Sequence, residues 1–392
     1  MHITVADGAV RSAHATGATS GLDRRNLFMS QILTQASHQW SSRPADERFC
    51  SLTDLNAHCQ SLRDHSAAKV VSSRRLEAHP VQGDNEALML TGPNGSAVNV
   101  THWSFGQLAA RAGAPAGYLR GIPSPLAADC INYGLHHSRD VEDVGVLLTR
   151  TEAANEARAV TGPNYGRIWN ATITQALEKR FGDGITGNFR VPGEFGKAIE
   201  VTKANTTLYA SDRDMFVFLA DEANRIEMPN RRNGESGSLA RGFFVWNSEV
   251  GSATFGVGLF LFDYACQNRI VWGAEGYQEI RIRHTASAPD RWIEEVAPAI
   301  EAYASSSTVG VKEALAAAQA KKVENVDEFL KARFTSTQAS AIKAAHLADE
   351  QRPIETLWDV ATGVTAYARG ISYQDDRVKR EREAGKDLKL AA

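Results

Sequence analysis

The spacing of apolar positions changes along this chain, and the changes divide it. Residues 1–42 are rich in Ser, Ala, Gly and Thr, with one apolar patch at Leu27, Phe28, Met29 and Ile32. This reads as a loose arm with a helical turn or two, suited to docking on a neighbour. From 43 to 150 the pattern is mixed and predicts a small α/β section. Leu52, Leu55 and Leu62 suggest a helix that Ser51 or Thr53 would cap. Residues 86–91 and 97–100 flank Gly92-Pro-Asn-Gly95, where Asn94 and Gly95 supply the positive backbone angles of a tight hairpin turn. Ser104 is read as the cap of a helix over 105–112. Gly113 and Pro115 stop it, residues 116–119 start another, and Leu126, Cys130, Ile131 and Leu135 mark a third.

Between 151 and 310 strand patterns dominate and predict a β-rich core. A short strand is expected at 158–160. Asn170 then caps a helix whose apolar residues Ile173, Leu177 and Phe181 stand four apart. Three hairpins follow, pairing 206–210 with 215–220, 242–246 with 253–264, and 268–272 with 277–284. The turn of the second, Asn247, Ser248, Glu249, Val250 and Gly251, is expected to be structurally demanding, because Asn and Gly tolerate left-handed backbone angles. A helix from Asp290 carries Trp292, Val296, Ile300 and Tyr303 on one face, with Pro298 placed to kink it. Residues 311–392 read as a helical C-terminal region. Asn325 caps 326–334, Thr337 opens an Ala-rich helix to 350, Pro353 precedes Ile354, Leu357, Trp358 and Val364, and Gly370 stops the last helix. The alternating charges from Arg377 to Glu383 read as a solvated helix face. The fold class is α+β: a twisted antiparallel sheet core with flanking helices, a small α/β section before it, and a helical tail packing back.

Composition narrows the function. The 392 residues carry 43 basic and 46 acidic side chains, a net charge of -3, so nothing global draws this chain to nucleic acid and any basic patch is local. No stretch approaches the roughly 18 apolar residues of a membrane span, and the first residues lack a secretory pattern. Cys50, Cys59, Cys130 and Cys266 are too few for a disulfide framework, which points to reduced thiols in a cytoplasmic protein. Cys50, His58, Cys59 and His65 lack paired zinc spacing, and the adjacent His136 and His137 would point apart, so no metal is expected. Gly256-Val-Gly258 lacks the third glycine and the helix of a dinucleotide loop. It marks close backbone approach or a sheet bend instead, and no cofactor is called for. Residues 109–119 resemble a helix-turn-helix only superficially and read as packing.

Twelve of the 31 aromatic residues fall between 205 and 284, as suits a curved sheet with one face under helices. On the last expected strand, Tyr277, Glu279, Arg281 and Arg283 share a face. The loop 230–238 is polar and carries Arg231 and Arg232, with Arg241 just beyond. Exposed rings and arginines beside a flexible basic loop are the features that track a single nucleic-acid strand.

Several motifs then carry a family resemblance. They are Arg43-Pro-Ala-Asp-Glu-Arg-Phe49, Trp246-Asn-Ser-Glu-Val-Gly251, Cys266-Gln-Asn-Arg269, Arg281-Ile-Arg-His284, and Thr356-Leu-Trp-Asp-Val-Ala-Thr-Gly-Val-Thr-Ala-Tyr367. With these the chain resembles the phage/plasmid-like protein family that carries domain of unknown function 932. It departs from that pattern at Arg269, in place of glycine, and at Ala361-Thr-Gly, where relatives more often show asparagine. The resemblance implies a mobile-element setting, and so a role in DNA replication, recombination or defence. At fold level a strand-rich core closed by a helix is also similar to single-strand annealing proteins, which form rings. The leading expectation is therefore non-enzymatic: a cytoplasmic homo-oligomer that binds single-stranded nucleic acid. Two alternatives stand beside it. One is an enzyme acting on nucleic acid or a nucleotide, with Glu249, Asp263, Asn268 and His284 converging near the hairpin ends. The other is a protein–protein adaptor using residues 27–32.

Overall fold

The computed structural model describes residues 44–83, 87–137, 142–152, 154–192, 200–231, 235–263, 268–270, 280–371, 380 and 383–385. The N-terminal arm, Arg232, Cys266 and Tyr277 lie outside them. The class is α+β, built on two sheets.

The first sheet is formed within residues 66–161, so it takes in the strand expected at 158–160, while residues 48–64 of the expected α/β section join the second sheet and its core. The first sheet comprises β2 (Ser66–Ser72), β3 (Glu77–Pro80), β4 (Leu88–Thr91), β5 (Ala97–Val100), β6 (Asp143–Arg150) and β7 (Asn155–Thr161), in the order β2-β6-β7-β5-β4-β3. Only β5 and β7 run parallel. The β4–β5 hairpin turns at 92–95, but only Gly95 takes the left-handed angle, at φ +70°; Asn94 does not, because the turn is closed by the Gly95 N–H donating to Gly92 O at 2.9 Å. Three helices, α2 (His102–Arg111), α3 (Ala116–Leu119) and α4 (Ser124–His137), press Leu108, Leu119, Ile131 and Leu135 onto Leu90, Val144, Val146 and Val160.

The second sheet runs β1-β9-β10-β12-β13-β14, from β1 (Arg48–Phe49), β9 (Leu208–Ala210), β10 (Met215–Asp221), β12 (Glu235–Asn247), β13 (Phe255–Asp263) and β14 (Asn268–Ile270). Branches are β8 (Phe189–Arg190) on β10, β11 (Ile226–Arg231) on β12 and β15 (Ile280–Ile282) on β13. One face lies under α1 (Leu52–Asp64), α5 (Asn170–Phe181) and a helical stretch made of α6 (Ala288–Arg291), a π turn (Trp292–Val296) and α7 (Ala297–Ser305). Leu55, Ile173, Leu177, Trp292, Val296 and Ile300 pack there against Val217, Leu219, Val245 and Val257. The π turn ends two residues before Pro298, whose missing N–H and bulky ring break the regular ladder of the preceding turn. The opposite face holds Tyr209, Phe216, Phe218, Phe244 and Phe260. Here Gly256 and Gly258 explain themselves. A Cβ on Gly256 would meet Trp246 at 1.9 Å, and one on Gly258 would meet Phe244 at 2.4 Å, so the rings lie where side chains would be.

The C-terminal helices are α8 (Val309–Ala320), α9 (Val326–Lys331), α10 (Ser336–Glu350) and α11 (Leu357–Arg369). They pack Leu315, Ile342, Leu357 and Val364 onto Ile226, Met228, Leu239 and Leu261 of the second sheet. No helix among the described residues is long and apolar enough to cross a membrane.

Several boundaries differ from expectation for one reason, the reciprocal capping box. Thr101, not Ser104, caps α2, and Ser104 returns a bond to the Thr101 N–H at 3.0 Å. Thr335 rather than Thr337 caps α10 with Gln338, and Thr356 with Asp359 starts α11, leaving Pro353 outside. A larger correction concerns the third hairpin. β14 pairs with Leu261–Asp263 and β15 with Phe255–Val257, so both follow one edge of β13 rather than pairing with each other.

The expected exposed basic loop is also corrected. Arg231 is 1% exposed. Its Nη2 donates to Asp263 at 2.8 Å, its Nε donates to Glu350 at 3.0 Å, and its guanidinium lies 5.3 Å from the Trp358 ring centre. The residue holds β11, β13, α10 and α11 together. Arg231→Ala would remove the guanidinium that these two buried carboxylates share. It is expected to lower unfolding free energy in urea by about 3–5 kcal/mol, and a loss below about 1 kcal/mol would contradict this account of the fold.

Candidate nucleic-acid interface

Residues 162–169 join β7 to α5 without regular secondary structure. Ile168 is buried, and Tyr165, Arg167 and Trp169 alternate around it, all half-buried. The Arg167 guanidinium lies 5.5 Å from the Tyr165 ring centre and 5.6 Å from that of Trp169. Two residues distant in sequence extend the row. Arg63 on α1 stands 5.9 Å from the Trp169 ring. His284, two residues after β15, stacks on Tyr165 with centroids 4.7 Å apart and planes 22° apart. The order is Arg63, Trp169, Arg167, Tyr165, His284, an alternation of cations and rings with His284 at its end.

This ladder rests on the β12–β13 turn. The Tyr165 hydroxyl donates to Ser248 O at 2.7 Å, and Arg167 Nε donates to Glu249 O at 2.8 Å. Trp103 Nε1 and Gln107 Nε2 both donate to Val250 O, at 3.0 and 2.7 Å. Asn247 Nδ2 donates to Ile168 O at 2.8 Å. The Glu249 carboxylate, 2% exposed, accepts from the Asn170 N–H at 2.8 Å and from Arg158 Nη1 at 3.2 Å. Asn170 is thus the first residue of α5, not its side-chain cap, and a carboxylate 79 residues away meets the positive end of the helix.

Burial, reinforced by the Arg167 charge, holds the His284 imidazole below its ordinary range. Its Nδ1 lies 3.0 Å from the Gly166 carbonyl, which can only accept, so Nδ1 carries the proton. Burial pushes the Tyr165 phenol up, so it stays a neutral donor.

The expected binding residues fare differently. Arg281 and Arg283 are exposed, and Arg281 lies 5.7 Å from the Trp246 ring centre. Arg231 and Arg241 are buried and engaged, so neither can offer a phosphate contact. Arg241 Nη2 donates to Asp221 at 2.9 Å, and Nη1 donates to Ser306 O at 2.7 Å, closing the end of α7. Arg232 and Tyr277 fall outside the described residues. Asn247, Ser248, Glu249 and Gly251 do form the turn, with Gly251 at φ +84°. The enzymatic grouping does not assemble. His284 reaches the ladder beside Glu249, but Asp263 closes the far end of β13, eight residues beyond Phe255 and so roughly 26 Å along the strand. The Asn268 side chain is not among those described. No three His, Cys, Asp or Glu residues gather as a metal site among the described residues.

Tyr165, Arg167, Trp169 and Arg63 were not anticipated. The legible signal was the period-two alternation Tyr165-x-Arg167-x-Trp169 ahead of a helix. Compared with protein-family models, curated proteins and solved structures, the chain finds no match.

Two predictions follow from this geometry. A Cβ at Gly251 would meet nothing nearer than Gln107 Nε2 at 3.4 Å, so a substitution there is penalised by the backbone angle rather than by a clash. Gly251→Val should therefore cost about 1–3 kcal/mol in a denaturant titration, and an unchanged midpoint would refute the left-handed turn. The second concerns pH. His58, His284 and His346 are all held below the ordinary value of 6.5, burial being the main cause. On lowering pH the unfolded chain takes up these protons before the folded one does. Stability is therefore full above about pH 6.5 and falls as pH drops toward the folded-state values. His284→Phe keeps a ring on Tyr165 and removes one such site. Its stability should fall less steeply between pH 6.5 and 5, by up to one proton, and an identical slope would contradict the assignment.

Proposed function

We propose that this protein binds single-stranded nucleic acid along the Arg63–Trp169–Arg167–Tyr165–His284 ladder. The observation that carries the reading is the alternation itself: guanidinium groups spaced between aromatic faces, with the row held from beneath by the carbonyls of Ser248 and Glu249. Bases stack on rings and guanidinium planes whatever their identity, and the cations meet the phosphates between them. Paired bases keep their faces stacked within the duplex, so such a ladder favours single strands. Arg283, exposed and adjacent in sequence to His284, extends the positive surface. The phage and plasmid resemblance supports the same reading, since replication, recombination and defence of mobile elements all expose single strands.

Fluorescence anisotropy with labelled single- and double-stranded oligonucleotides at two salt concentrations tests it. Binding should favour single strands and weaken with salt. Trp169→Leu should cost about 1–3 kcal/mol of affinity through lost stacking. Changing Arg63 and Arg283 together to Ala should reduce the salt slope by about 1.4, at ~0.7 for each phosphate contact to a single strand. Absence of binding at low salt, or unchanged binding by these variants, would overturn the proposal.

A further inference from the structure

The first sheet carries a second opening, remote from the ladder in its chemistry. Strands β2 and β4 are separated in the sheet by β6, β7 and β5, yet both line one groove. The sheet is therefore curved across these strands. Helices α2–α4 fill part of its concave face and leave a groove of about 200 Å³ beside the β4–β5 turn. Its walls are the aliphatic side chains of Val71, Leu90, Val98, Val146 and Leu148, and Lys69 stands at its edge. Close-packed interiors rarely keep such space, and an aliphatic cavity of about 150 Å³ is enough to take up benzene.

The polar side chains are few: one ammonium and two neutral groups. Lys69 pairs in register with Val146 and so stands on the groove side of β2. It is exposed and makes no ion pair with any described residue. At the turn, Asn94 and Ser96 also line the opening, and their side chains carry an amide and a hydroxyl donor. An aliphatic interior with a lone cation and neutral donors at its mouth matches one ligand class. We infer that the mouth of the first sheet binds a small monocarboxylate with an aliphatic or single-ring body, the body in the groove and the carboxylate at Lys69. Small-molecule sites in curled sheets follow this plan of apolar walls and a few orienting polar groups. The competing explanation of Lys69 is protective: an inward-facing lysine on an edge strand discourages sheet-to-sheet pairing. That role needs no ligand and gives the opposite result below.

The full chain is titrated calorimetrically with octanoate, 1-octanol and octylamine, three molecules sharing one tail. One saturable site is expected, with octanoate tightest and octylamine weakest. Lys69→Met should weaken octanoate roughly two- to five-fold, the scale of an exposed ion pair, and leave octanol unchanged. Val98→Phe and Leu148→Phe fill the groove from different strands. Each variant that retains the parent circular dichroism should lose all three ligands. No saturable octanoate binding, an octanoate affinity indifferent to Lys69→Met, or binding that survives both filled variants would overturn the inference. Failure here would leave nucleic-acid binding untouched, since the two sites share no residue.

Discussion

A buried carboxylate sets the terms for this structure. Glu249 is nearly inaccessible to solvent, and a charge so placed costs several kcal/mol unless it is met by a cation and by hydrogen-bond donors. Its partners come from outside its own sheet. Arg158 belongs to β7 of the first sheet, and the Asn170 N–H belongs to the first turn of α5. The charge is satisfied only when both sheets and the intervening helix are in place, so the β12–β13 turn fixes how the two halves meet. The same turn presents three successive carbonyls, those of Ser248, Glu249 and Val250, each taking a side-chain donor from elsewhere. Two of those donors are Tyr165 and Arg167. The candidate interface is thus a consequence of how a buried charge is neutralised.

The other end of the same hairpin carries a matching device. Asp263 closes β13 and shares Arg231 with Glu350 at the end of α10. The long β12–β13 pair works as an axle with an ionic knot at each end, one joining the first sheet and one joining the C-terminal helices. Arg241 is spent similarly on Asp221 and the end of α7. Arg158, Arg231 and Arg241 are each buried in such a pair, so these three guanidinium groups are structural rather than offered to a ligand.

Local pattern carried most of the element assignments. Asn94-Gly95 marked its hairpin, the spacing of Trp292, Val296, Ile300 and Tyr303 marked a buried helix face, and Gly251 marked a left-handed turn, because each depends on neighbours within a few residues. Arg231 and Arg241 were misread because their environment is set by partners far along the chain. A guanidinium among Asn, Gly and Ser looks solvated until Glu350, 119 residues later, is brought against it. The ladder was hidden for the same reason. Tyr165, Arg167 and Trp169 are close in sequence, but Arg63 and His284 arrive from opposite sides of the chain. The paths of β14 and β15 were equally illegible, since short strands carry no record of which edge they will join.

The central claim is that bases stack on the Tyr165–Trp169 segment. It is tested most directly by ultraviolet crosslinking of the full protein to a single-stranded oligonucleotide, followed by mass-spectrometric mapping of the attached peptide. The account predicts that the crosslinks fall on Tyr165 or Trp169 and are lost when excess unlabelled single strand, but not duplex, is added. Crosslinks confined to other parts of the chain, or none under conditions where the strand is bound, would contradict it.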